Sequence, residues 1–87
     1  MDHGKMERDK EKAYEIRSWV TEETVIGGMH LKKGDIIELG VGRKTITGVF
    51  QGYDRLLYSF YIIEIESGEE MVIPYKTIKY IRKRRGK

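Results

Sequence analysis

With 87 residues, 39% of them hydrophobic, the chain has enough apolar surface for one compact core and not for two, so a single small domain with an appendage is expected. The absence of cysteine excludes a disulfide framework and any thiolate metal site, leaving packing as the source of stability. The formal charge of +3 is unevenly spread: Lys79, Arg82, Lys83, Arg84, Arg85 and Lys87 are six of the seventeen basic residues, so the end of the chain carries +6 and residues 1–78 carry −3.

Met1 to Lys12 is charged throughout, so no secretory h-region is expected there, and the apolar stretches, such as Leu56 to Ile63, fall short of the ~20 residues that span a bilayer. A cytoplasmic protein with no membrane partner is the expectation. Met6 to Val20 places Ala13, Ile16 and Val20 at i, i+3, i+7 with Trp19 beside them, a narrow apolar stripe that predicts an α-helix packing by one face. Gly27 and Gly28 stop any continuation of that helix.

Beyond them the period becomes that of strands, punctuated by Lys33-Gly34-Asp35, Gly40-Val41-Gly42, Gly52-Tyr53-Asp54, Ser67-Gly68-Glu69 and Pro74. Strands are expected at Asp35 to Leu39, Lys44 to Tyr53, Ser59 to Ser67, Glu70 to Ile73 and Lys79 to Ile81. In the third, Tyr61, Ile63 and Ile65 alternate with Ile62, Glu64 and Glu66, giving an apolar face and one that turns charged toward its end. Ser67-Gly68 marks a tight hairpin, and Gly48 and Gly52 inside the second strand mark a bulge or sharp bend. The expected architecture is mostly β with an N-terminal α-helix: a small, five-stranded, strongly bent antiparallel barrel of the Src-homology-3-like or oligonucleotide-binding type. In domain terms, residues 1–28 form the helix and a glycine-rich connector, 29–82 the barrel, and 83–87 a basic disordered tail. Ile16, Trp19 and Val20 would plug one barrel mouth.

Catalytic chemistry has few candidates. His3 and His30 have no partner at ligand spacing, and Glu64 with Glu66, or Glu69 with Glu70, looks like a solvent face rather than a calcium loop. No catalytic residue, metal ligand or cofactor is assigned, and a non-enzyme is expected. Gly40-Val41-Gly42 before Arg43-Lys44 reads as a hairpin turn because no helix follows to hold a phosphate. A binding surface remains. Tyrosine supplies six of the nine aromatics, and Tyr53, Tyr58, Tyr75 and Tyr80 fall near strand ends beside Arg55, Lys76 and Lys79. Rings interleaved with cations are how single-stranded nucleic acid is held, by base stacking and phosphate neutralisation. Tyrosine also suits half-buried strand edges, which assigns at least half of these rings to the barrel wall.

The segment Gly48-Val49-Phe50-Gln51-Gly52-Tyr53-Asp54-Arg55-Leu56-Leu57 resembles the first motif of Sm-like proteins, and Met71-Val72-Ile73-Pro74-Tyr75-Lys76-Thr77-Ile78 resembles the second as found in the Hfq branch. The resemblance covers about residues 33–82 and implies an RNA-binding barrel that assembles into a ring through its fourth and fifth strands. Under it, Asp54 organises the first loop, Leu57 takes the stacking position, and Tyr75 with Lys76 belongs to the second loop. Tyr58 stands where the family has its base-reading asparagine, and Lys76-Thr77 replaces the usual pair of the second motif.

These observations lead to a non-catalytic, Sm-like module binding single-stranded RNA or other nucleic acid. In it Arg55, Tyr58 and Tyr75 line a loop surface, while Lys76, Lys79, Arg82, Lys83, Arg84 and Arg85 hold phosphates. A homo-oligomer is compatible with that reading. The alternative is a protein-interaction or assembly module with no nucleic-acid role, favoured by the −3 body. A third reading, a regulatory subunit taking a ligand or metal on Glu64, Glu66, Glu69 and Glu70, draws on the acidic residues alone.

Overall fold

The computed structural model describes residues 19–84. The helix expected over Met6 to Val20 therefore lies almost wholly outside the described residues. Its last position does not: Val20 belongs to a short strand, β1 (Val20–Thr21). The segment 21–28, expected to be a connector, belongs instead to strands and a hairpin turn. After β1 come β2 (Glu23–Ile26) and β3 (Met29–Lys32), which pair as a hairpin from Glu23↔Lys32 to Ile26↔Met29. Gly27 and Gly28 form its tip with φ of 55° and 82°, the two positive values that a type I′ turn requires and that glycine adopts without steric penalty. The domain boundary drawn at residue 28 thus falls inside a hairpin.

All five strands expected downstream are present: β4 (Ile36–Val41), β5 (Lys44–Asp54), β6 (Ser59–Glu64), β7 (Glu70–Pro74) and β8 (Ile78–Arg84). They form one antiparallel sheet in the order β7-β6-β5-β4-β8, and β1 adds to β5 through Val20↔Asp54 and Thr21↔Tyr53. A single 3₁₀ turn, Tyr75–Thr77, carries the chain from β7 at one edge to β8 at the other. Since no pairing joins β7 to β8, the sheet is open among the described residues rather than a closed barrel.

Curvature comes from β5. Its pairing with β6 shifts register between Phe50 and Gly52, the bulge expected there. Side chains at the two internal glycines have no room. A Cβ on Gly48 would stand 2.8 Å from the Ile63 carbonyl oxygen, and one on Gly52 would stand 2.8 Å from Val20 Cγ1, where β1 crosses.

The core is Leu31, Ile37, Leu39, Ile46, Phe50, Phe60, Ile62 and Ile73. Phe60 is its aromatic hub, edge-on to Phe50 at 6.2 Å and to Tyr53 at 5.0 Å. This corrects the face expected for β6: Phe60 and Ile62 point into the core, Tyr61 and Ile63 are half-buried, and Ile65 lies beyond the strand and is exposed. The strand ends at Glu64, three residues early, because Gly68 N–H donates to the Glu64 carbonyl at 2.8 Å and turns the chain. At the other end β8 outruns its expected limit by three residues, so Arg82, Lys83 and Arg84 are strand, the last two of them in the segment expected to be a disordered tail.

Candidate nucleic-acid interface

The β5–β6 loop is organised by one buried carboxylate. Asp54, 3% exposed, accepts the Leu56 and Leu57 backbone N–H groups on Oδ1 at 2.9 and 3.1 Å, and the Tyr61 hydroxyl on Oδ2 at 3.0 Å. Such Asx capping spans the backbone donors of a tight turn. Ser59 Oγ donates to the Leu57 carbonyl at 3.0 Å, and Arg55 N–H to the Trp19 carbonyl at 3.1 Å. With its backbone pinned from beneath, the loop projects Leu56, Leu57 and Tyr58, which are 52%, 60% and 66% exposed. Tyr58 adopts φ 51°, a left-handed conformation rare for a bulky residue, so the loop holds local strain at its most exposed ring.

A second loop docks on the first. Tyr75 N–H donates to the Tyr58 carbonyl at 2.7 Å, and the Tyr75 ring stacks over Phe60 at 6.3 Å with a 26° interplanar angle. Three tyrosines converge here. The Tyr53 hydroxyl is pushed above its ordinary pKa, first by burial and then by the neighbouring Tyr75, Tyr58 and Asp54. Thr77 Oγ1 donates to the Pro74 carbonyl at 2.7 Å and fixes the 3₁₀ turn that presents Lys76.

From this turn a cleft of about 420 Å³ runs along β8. It is lined by Tyr75 and Lys76 of the turn, by Ile78, Lys79, Tyr80 and Ile81 of β8, and by Ile26, Gly27 and Met29 of the hairpin. The β4–β8 pairing bulges beside it: Gly40 pairs with Tyr80 and Val41 with Ile78, which leaves Lys79 between them. Tyr80 lies flat over Gly40, where any Cβ would overlap its ring. Its hydroxyl meets Thr45 Oγ1 at 3.1 Å and donates to Glu38 Oε2 at 3.3 Å, and the Arg82 guanidinium sits 5.2 Å from its centroid.

The sequence-selected residues therefore separate into groups. Arg55 and Tyr58 share one loop, and Tyr75, Lys76 and Lys79 line the cleft beside it. Arg82 and Lys83 are engaged with acids of the body: Arg82 Nη1 stands 3.8 Å from Glu38 Oε2, while Lys83 Nζ stands 3.4 Å from Asp35 Oδ2 and donates to the His30 carbonyl at 3.0 Å. Arg84 ends β8 opposite Ile36, and Arg85 lies outside the described residues. Sequence reasoning missed Ile26 and Met29. The Gly-Gly pair between Glu-Thr-Val-Ile and Met-His-Leu-Lys, a hairpin signal, was available to find them.

Elsewhere, His30 Nε2 is 3.5 Å from Glu23 Oε2 on the exposed hairpin. Among the described residues no group of three or more His, Asp or Glu side chains is placed to hold a metal ion. No helix among them is long and apolar enough to cross a membrane. No family model matches the chain, and neither the curated proteins nor the solved structures contain a match to it.

Proposed function

We propose that the chain is a non-catalytic, Sm-like nucleic-acid-binding module that holds single-stranded RNA along the surface formed by the Arg55–Tyr58 loop, the Tyr75–Thr77 turn and the cleft beside β8. The observation that carries this reading is the 2.7 Å hydrogen bond from Tyr75 N–H to the Tyr58 carbonyl. It joins the two loops of the Sm-like motif resemblance into one surface, with exposed rings at Tyr58 and Tyr75 and cations at Arg55, Lys76 and Lys79. Exposed rings stack bases without regard to sequence, and the cations neutralise phosphate. Fluorescence anisotropy with a labelled single-stranded RNA is the test. Affinity should fall steeply with salt and drop on Tyr58→Ala or Lys76→Ala. No binding at low salt would refute the proposal.

Assembly is favoured by an observation of its own. The β7 and β8 edges are unpaired among the described residues, and they differ in charge: Glu69 and Glu70 lead into one, while Lys79, Arg82, Lys83 and Arg84 line the other. Two such edges fit a head-to-tail homo-oligomer, the ring the motif resemblance implies. Light scattering on the purified chain distinguishes a ring from a monomer.

A further inference from the structure

The β2–β3 hairpin is the element the motif resemblance does not account for, and it is fastened firmly. Leu31 is fully buried in the core, Lys33 N–H donates to the Glu22 carbonyl at 2.8 Å across its open end, and Lys83 Nζ ties the His30 carbonyl to β8. Its two faces differ. Val25 is 64% exposed, whereas Ile26 and Met29 pack against the core and line the cleft together with Tyr75, Lys76, Lys79 and Tyr80. The tip is Gly27-Gly28, and ideal Cβ positions there meet nothing within 4 Å, so the mouth is open to solvent.

Resting on the nucleic-acid reading above, we propose that this hairpin turns the cleft into a slot for a single unpaired nucleobase. The base would lie against Met29 and Ile26 in the cleft, whose lining also includes Ile78, Ile81, Tyr75 and Tyr80, with its flanking phosphates on Lys76 and Lys79. The volume of about 420 Å³ lies in the lower part of the range of small-molecule sites and is large enough for one base. The lining combines apolar side chains, one of them a polarizable thioether, with tyrosines and lysines, which suits a flat ring joined to a charged backbone. A base within a duplex has both faces stacked and must be extruded before it enters such a slot. The hairpin therefore selects single strands over duplex.

A single-stranded RNA carrying one 4-thiouridine, irradiated with the full chain and mapped by mass spectrometry, tests this directly. Cross-links are expected on residues 26–29 as well as 75–80. Binding with cross-links confined to residues 55–58 and 75–80 would overturn the slot while leaving the nucleic-acid reading intact. Absence of binding would overturn both. A charged pair of variants gives an independent readout. Met29→Glu, on the slot face, should weaken single-strand binding about tenfold, the order of one lost stacked base, whereas Val25→Glu, on the outer face, should leave it unchanged. Equal effects of the two would overturn the proposal.

Discussion

At the scale of single residues, Asp54 and Tyr58 divide the work of the β5–β6 loop. Asp54 is buried and serves three donors, so Asp54→Ala leaves them without their acceptor and should lower stability by about 3 kcal/mol in urea unfolding, at roughly 1 kcal/mol per bond. Tyr58 is the opposite case. Its left-handed φ of 51° disfavours a bulky side chain, and Asn tolerates that conformation better. Tyr58→Asn should therefore raise stability by about 0.5–1 kcal/mol while weakening RNA binding. A variant that lost stability would show that the ring is held for packing rather than for a ligand.

Asp35 makes stability depend on pH. Its carboxyl is held below the ordinary value chiefly by the Lys32 backbone N–H, against its own partial burial, with Lys83 adding to the effect. A carboxylate whose folded pKa is depressed contributes stability that is present above its unfolded value of ~3.9 and is lost as pH falls toward the folded value. Melting temperature should thus decline below about pH 4. Asp35→Asn should flatten that part of the curve and loosen Lys83, which also holds the hairpin. An unchanged acid limb in the variant would contradict the assignment.

Among the elements, the strands were legible wherever glycine, proline or Asx residues punctuate alternating apolar runs, which is why β4 to β8 stand close to their expected limits. Three departures have physical causes. In β6, hydrophobic residues occupy both faces, so alternation alone could not choose between Phe60 with Ile62 and Tyr61 with Ile63; the packing of Phe60 against Phe50 and Tyr53 decides it. The end of β8 looked like a disordered cationic tail because its acidic counterparts, Asp35 and Glu38, lie more than forty residues earlier in the chain, on β4 or just before it. Gly27-Gly28 suits a helix stop as well as a hairpin turn, and as a helix stop it leaves Ile26 and Met29 out of the cleft they line.

Glycine packing gives the elements a prediction of their own. Gly48→Ala meets a backbone carbonyl at 2.8 Å that cannot swing aside, and should cost about 1–3 kcal/mol. Gly40→Ala meets the Tyr80 ring first, a side chain that can rotate away. It should cost less stability, and it should displace Tyr80 from Thr45, Glu38 and Arg82 and reshape the cleft. Urea unfolding of both variants checks the order, and a reversal of it would mean that Tyr80 is locked more tightly than the β5–β6 crossing.

For the molecule as a whole, the charge asymmetry that dominates the sequence is partly absorbed by folding. Arg82 and Lys83 face acids of the body, through pairs exposed enough to be worth at most about 1 kcal/mol each. The cations that remain beside exposed rings are Arg55, Lys76 and Lys79, and these carry the proposed phosphate contacts. Phosphate contacts position a strand without reading its sequence, so any base preference must arise at Tyr58, Tyr75 and the slot under the hairpin.

The most direct test of the proposed function is the salt dependence of single-stranded RNA affinity, measured by anisotropy for the wild-type chain and for Lys76→Ala with Lys79→Ala. Each phosphate neutralised contributes about −0.7 to the slope of log K against log salt for a single strand. Removing the two lysines should make the slope shallower by about 1.4 and weaken binding, with the melting temperature unchanged. Absence of RNA binding at low salt, or a slope identical in the wild type and the variant, would contradict the account.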